Sequence, residues 1–148
     1  MKISIIKILS ILLIIYLLTI MLTVSCLATT IDRVVDGDTF VINNPKPPAD
    51  LLQKNHRIAG IDTPESFKQF AKCKKEIELG NKAKAFTSDF VKGGVEIVYV
   101  EQGRQRIDKY GRYLVNVDKN GLNLADELVK NGLAVYYDGG TKEKDWCK

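Results

Sequence analysis

Acidic residues and an arginine fall together in two short runs of this chain, Val35-Asp36-Gly37-Asp38-Thr39 and Arg57-Ile58-Ala59-Gly60-Ile61-Asp62-Thr63-Pro64-Glu65. A third run, Asp108-Lys109-Tyr110-Gly111-Arg112, adds a second arginine beside a glycine and a tyrosine. Calcium and magnesium take oxygen ligands, and a site built from few carboxylates keeps positions for water and for a phosphate oxygen. Asp38 at a turn and Asp62 at a strand end are suited to converge on one ion, with the Thr63 carbonyl as a third ligand. Glu65, displaced by the Pro64 turn, is suited to orient or deprotonate a water. Asp36 reads instead as a turn former or as a group behind the ligands. Arg57 and Arg112 supply planar forks that bind two phosphate oxygens at once and do not lose their protons. Taken singly, each acid is an ordinary surface carboxylate; as a set with Arg57 they point to metal-assisted cleavage of phosphodiesters in nucleic acid.

Lys109 and Tyr110 could contact a neighbouring phosphate, and Tyr136 or Tyr137 could stack on a base, although strand tyrosines also serve as core or barrel surface. Arg104 and Arg106 read as surface residues. His56 alternates with Arg57 along the strand and faces away from it, a structural position. With one histidine and no C-x-x-C, zinc is disfavoured.

The elements that must position these groups follow from periodicity and punctuation. Residues 30–35 and 39–43 are β-branched and apolar runs around Asp36-Gly37-Asp38, which predicts a hairpin. Asn44-Pro45-Lys46-Pro47-Pro48 breaks any ladder and predicts an exposed loop. Residues 56–61 read as one strand, ended where Pro64 biases Thr63 away from helix. From about Glu76 to Lys92, Ile77, Ala83, Phe86, Phe90 and Val91 recur at helical spacing up to Gly93-Gly94, with Gly80 weakening the first turn. Residues 95–100 and 113–117 predict strands, 124–130 a short helix, and 133–137 a return to extended chain. The fold class is mainly β with short helices (α+β), and the five or so strands predict a small barrel.

The chain has 148 residues, 45% hydrophobic and 27% charged, enough for one domain. Lys2 and Lys7 precede an uncharged stretch over residues 8–28. It reads as a signal peptide, cleavable after Ala28, or as an uncleaved membrane anchor. Residues 29–148 then form the domain. Without Lys2 and Lys7, 20 basic residues remain against 18 acidic, a net of +2. Attraction to phosphates must therefore come from local placement of Lys and Arg rather than from the whole protein's field. Cleavage also removes Cys26, and Cys73 and Cys147 remain. An even pair reads as a disulfide in an exported domain, and as two unpaired thiols if the domain faced the cytoplasm.

The three runs, followed by Gly132-Leu133-Ala134, resemble the staphylococcal nuclease (thermonuclease) family, in the family's order and over nearly all of the chain after residue 29. The resemblance implies a five-stranded OB-fold barrel. It also implies a monomeric, calcium-dependent, sugar-nonspecific endonuclease that leaves 3′-phosphate ends on DNA and RNA. Carried across, Asp38 and Asp62 are the metal carboxylates, Thr63 the carbonyl ligand, Glu65 the general base, and Arg57 and Arg112 the phosphate arginines. Two departures stand out: an extra loop around residues 45–50, and no long C-terminal helix. The tail instead resembles that of short exported members, whose terminal cysteine is matched by one before the first long helix, here Cys73. The alternative function is a noncatalytic OB-fold module that binds nucleic acid. Such a module has no need for Asp38, Asp62 and Glu65 beside phosphates they would repel.

Overall fold

The runs on either side of Gly37-Asp38 fold back on each other, and the rest of the chain is built outward from that hairpin. A computed structural model describes residues 7, 9–16, 28–42, 55–100 and 107–148. In chain order its elements are β1 (Arg33–Asp36), β2 (Thr39–Val41), β3 (Asn55–Ile58), β4 (Ile61–Asp62), α1 (Lys74–Phe90), β5 (Glu96–Tyr99), β6 (Tyr113–Lys119), β7 (Leu122–Asn123), α2 (Leu124–Lys130) and β8 (Val135–Tyr136). Residues 9–16 are helical and exposed. Among the described residues no helix is long and apolar enough to cross a membrane. The proline loop, Arg104, Arg106 and most of the expected leader lie outside the described residues.

The principal sheet follows the path β1-β2-β3-β6-β5, with β7 attached to β6. All its pairings are antiparallel except β3 with β6, which run parallel with Arg57 beside Leu114. These five strands are the expected barrel set. Ahead of the two edge strands, Thr29 and Val95 form an isolated bridge and exchange hydrogen bonds of 2.8 and 3.0 Å. Phe40, Ile58, Val115, Val117, Leu124 and Leu128 are fully buried in the core, with Ile61 and Ala83 beside them. Burying each large apolar side chain contributes about 1.5–3 kcal/mol. His56 is also fully buried. Its ring stacks with Phe40 and Tyr113 at 5.9 and 5.5 Å, and Nε2 lies 3.2 Å from the Tyr99 hydroxyl.

Two expectations need correction. The strand predicted over residues 56–61 is two strands, because the chain turns at Gly60, whose φ of 76° suits glycine. The turn moves Ile61 and Asp62 out of the principal sheet into a separate ladder with β8. The helix expected from about Glu76 starts at Lys74, and Gly80 is buried within it. A Cβ at Gly80 would stand 2.5 Å from the Glu65 carbonyl carbon, and one at Gly37 would stand 2.7 Å from Ala83 Cβ. Gly80 therefore costs some helix propensity and in return lets α1 press against the Glu65-Ser66 backbone. The most buried face of α1 is the small and polar stripe Glu76, Gly80, Ala83 and Thr87, with Phe86 and Phe90 partly buried beside it. Thr87 Oγ1 donates to the Gly37 carbonyl at 2.5 Å. One helix thus backs both acidic segments.

The helix N-terminus is also where the tail is tied down. Cys73 is the N-cap, its sulfur 3.4 Å from the Glu76 N–H, and the Glu76 carboxylate accepts from the Lys72 N–H at 2.6 Å. In the structure Cys73 and Cys147 are joined as a disulfide across a Cα–Cα distance of 6.0 Å. Trp146 beside it is buried. With a sequence separation of 74 between the cysteines, the chain-entropy model gives about 4 kcal/mol of stabilisation. Cys147→Ser is accordingly expected to lower the thermal midpoint markedly and to make it insensitive to reductant. Circular dichroism melts with and without reductant check this; a variant melting with the oxidised parent would contradict it.

Candidate active site

Each element delivers one part of the site. The β1–β2 turn carries Asp38, which is 4% exposed, and the strand-to-turn alternation of β3 sends His56 and Ile58 into the core but Arg57 outward. Register places Arg57 opposite Thr39 on β2. The Gly60 turn then returns Asp62 and Thr63, both 3% exposed, to the same place. Arg57 is the hub: its guanidinium lies 2.5 Å from Asp38 Oδ1 and 3.5 Å from Asp62 Oδ1, and it donates to the Ile61 carbonyl at 2.9 Å. Asp38 Oδ1 also accepts from the Thr39 hydroxyl at 2.9 Å, and Oδ2 from the Thr63 N–H at 3.3 Å. Burial works against the Arg57 charge, but Asp38 and Asp62 outweigh it and hold the guanidinium protonated.

The second arginine is held differently. Asp108 accepts from the Tyr110 and Arg112 N–H groups through Oδ1, both at 2.9 Å. Through Oδ2 it meets Arg112 Nε at 2.7 Å and Nη2 at 2.6 Å. Burial alone would raise the Asp108 pKa, but these hydrogen bonds prevail and lower it. Arg112 is thus oriented by its own turn. Tyr110 is largely exposed, with the Lys109 ammonium 5.3 Å and the Arg112 guanidinium 5.2 Å from its ring centre.

A cleft of about 530 Å³ brings Asp36, Asp38, Arg57, Thr63, Glu65, Lys109, Tyr110, Arg112 and Tyr137 together. Asp62 and Tyr136 line the adjoining groove of about 860 Å³. Tyr136 is turned toward α2, donating its hydroxyl to Asp126 at 3.0 Å, whereas Tyr137 reaches both spaces. Three residues at or behind the cleft were not legible as site residues: Phe70 and Lys142, which line it, and Asp108, which holds Arg112 from outside it. Lys142 Nζ lies 2.7 Å from Asp62 Oδ1 and 3.2 Å from Glu65 Oε1. Burial lowers its pKa, but Asp62 and Glu65 more than reverse this and the net shift is upward.

Asp36 behaves unlike its neighbours. Burial, followed by the charges of Asp38 and Glu65, pushes its carboxyl up to about 6 against the opposing pull of the Gly37 N–H, 2.9 Å from Oδ1. The folded protein therefore holds this proton more tightly than the unfolded chain, whose value is 3.8. The associated stability is present below the unfolded value and is lost as pH rises through about 6. Asp36→Asn keeps the acceptor and removes the charge. It is expected to stabilise the protein in chelator at pH 7 by on the order of 1 kcal/mol and to give no gain at pH 4, as read by urea unfolding.

The donor set suits a hard cation. Asp38, Asp62 and the Thr63 carbonyl offer oxygens only, and the acids Asp36, Asp38, Asp62 and Glu65 outnumber Arg57 and Lys142 among them. A phosphate approaching that excess needs a further positive charge beside it. A second cluster of ligand-type residues, Cys73, Glu76 and Cys147, has both sulfurs in the disulfide.

Comparison with known proteins covers the second and third runs, Arg57–Glu65 and Asp108–Arg112. The family described as staphylococcal nuclease homologue matches residues 55–146. Endonuclease YhcR of Bacillus subtilis is 36% identical over 110 residues, 72% of this chain and 9% of that protein. The thermonuclease of Staphylococcus hyicus is 33% identical over 102 residues, 69% of this chain and 54% of that protein. Endonuclease YncB of Bacillus subtilis is 34% identical over 120 residues, 78% of this chain and 52% of that protein. The chain thus spans about half of the latter two and a small part of YhcR.

Proposed function

Because this chain belongs to the family of staphylococcal nuclease homologues, we propose that it is a calcium-dependent endonuclease hydrolysing DNA and RNA to 3′-phosphate products. The observation that carries the reading is the buried hub in which Arg57 meets Asp38 and Asp62, with Arg57 and Asp38 lining one cleft together with Arg112 and Glu65 and Asp62 lining the groove that adjoins it. A module that only bound nucleic acid would have no use for those acids. Asp38, Asp62 and the Thr63 carbonyl would hold the ion. When bound, calcium would supply Lewis-acid polarisation of a phosphate oxygen.

The chain's own groups do the rest. Glu65, whose backbone is backed by Gly80, accepts a proton from the attacking water as its oxygen bonds to phosphorus, and the bond to the 5′ oxygen breaks as that oxygen takes a proton from solvent to leave as the 5′-hydroxyl. Arg57 and Arg112 face the oxygens on which negative charge grows, and fixed cations there lower the barrier more than they tighten ground-state binding. Lys109 and Tyr110 meet a neighbouring phosphate, and Tyr137 or Tyr136 stacks on a base. These contacts address phosphates and ring faces, which DNA and RNA share, so sugar discrimination is weak. The protein acts as an exported monomer, with residues 1–28 as leader or membrane anchor and the Cys73–Cys147 bond kept oxidised outside the cytoplasm.

The test combines product analysis with one variant. End-labelling of digested DNA and RNA should find 3′-phosphates and 5′-hydroxyls. Glu65→Gln should slow cleavage by about a hundredfold or more with calcium affinity little changed. Products bearing 5′-phosphates would sink the proposed bond, and a large loss of calcium affinity would make Glu65 a ligand.

A further inference from the structure

Lys142 belongs to none of the acidic or arginine runs, yet among the described residues it is the nearer of the two cations paired with Asp62. It sits in the tail after β8, and that tail is fixed on both sides of it. Upstream, the Tyr137 N–H donates to the Gly60 carbonyl at 2.9 Å and the Tyr137 hydroxyl to the Gly140 carbonyl at 2.6 Å. Downstream, Trp146 is buried, Cys147 is bonded to Cys73, and Lys75 Nζ donates to the Lys148 carbonyl. Between these anchors the ammonium reaches Asp62 and Glu65 together. Its side chain is 47% exposed while that of Asp62 is 4% exposed, so Lys142 covers the acids from the solvent side.

An ammonium and a hard divalent cation ask for the same oxygens, and one carboxylate lone pair serves one of them at a time. Arg57 does not fill this role, since it is buried and approaches Asp62 no closer than 3.5 Å. We propose that Lys142 is a built-in counter-ion that holds Asp62 and Glu65 in the metal-free protein and is displaced when calcium binds, so that the clamped tail sets the metal affinity of the site. The proposal rests on Asp62 being a metal carboxylate. Displacement leaves the ammonium at the edge of the cleft, where it meets the incoming phosphate instead of the acids.

Calorimetric titration of the full chain with calcium alone, in the absence of nucleic acid, tests this. Lys142→Gln should bind calcium about tenfold more tightly than the parent, the order expected when one half-exposed competing charge is removed. Lys142→Arg, which restores the charge, should return toward parental affinity. In the parent, calcium should also raise acylation of the Lys142 amine, read by mass spectrometry. Equal or weaker calcium binding by Lys142→Gln overturns the proposal and leaves the metal-dependent reading intact. Absence of calcium binding by all three proteins overturns both.

Discussion

Arg57→Lys should cut turnover by about a hundredfold or more although the charge is kept. The guanidinium of Arg57 contacts Asp38, Asp62 and the Ile61 carbonyl in three fixed directions. A lysine ammonium is a compact point charge and cannot hold those partners while presenting two donors to one phosphate. Loss of one such transition-state contact costs on the order of 3 kcal/mol. Arg112→Lys should behave similarly for a different reason, since its fork is held by two donors to Asp108 that a lysine cannot reproduce. Steady-state rates on a defined oligonucleotide, with circular dichroism to confirm folding, decide the matter. Parental rates from both variants would make these arginines ordinary surface residues.

Asp38→Ala should abolish measurable calcium binding and destabilise the protein in the same step. The metal site loses a charged oxygen ligand from a small set. Independently, the Arg57 guanidinium, only 11% exposed, loses its 2.5 Å partner and keeps Asp62 at 3.5 Å. Stranding one member of a buried ion pair costs about 3–5 kcal/mol. Asp38→Asn should recover part of the stability, through an oxygen that still accepts hydrogen bonds, without recovering calcium binding. Calorimetry and urea unfolding on the same samples separate the two effects, and parental calcium affinity in Asp38→Ala would remove Asp38 from the ligand set.

The residues that gather at this site announce themselves because their chemistry is local. Asp38, Asp62 and Arg57 sit at turns and on a strand whose alternation can be read directly, and His56 falls on the opposite side of β3 from Arg57 for the same reason. What was not legible depends on contacts between distant segments. Nothing near Gly80 reveals that Glu65, fifteen positions earlier, will press against it; a glycine in a helical pattern reads only as a weak helix former. The break at Gly60 was hidden because residues 56–61 satisfy a strand pattern until the αL residue turns the chain. Lys142 carries no local signal at all, because its role follows from where the Cys73–Cys147 bond and Trp146 hold the tail. Tyr136 and Tyr137 differ by one position, and strand alternation sends one toward Asp126 and the other to the cleft.

The central claim, that these acids and arginines form a metal-assisted phosphodiesterase, is tested most directly by following cleavage of single-stranded DNA and RNA in calcium, then in excess chelator, then with calcium restored. Cleavage of both substrates that stops in chelator and returns with calcium is the predicted result. Undiminished cleavage in excess chelator would contradict the account, since Asp38 and Asp62 would then have no part in the reaction as ligands.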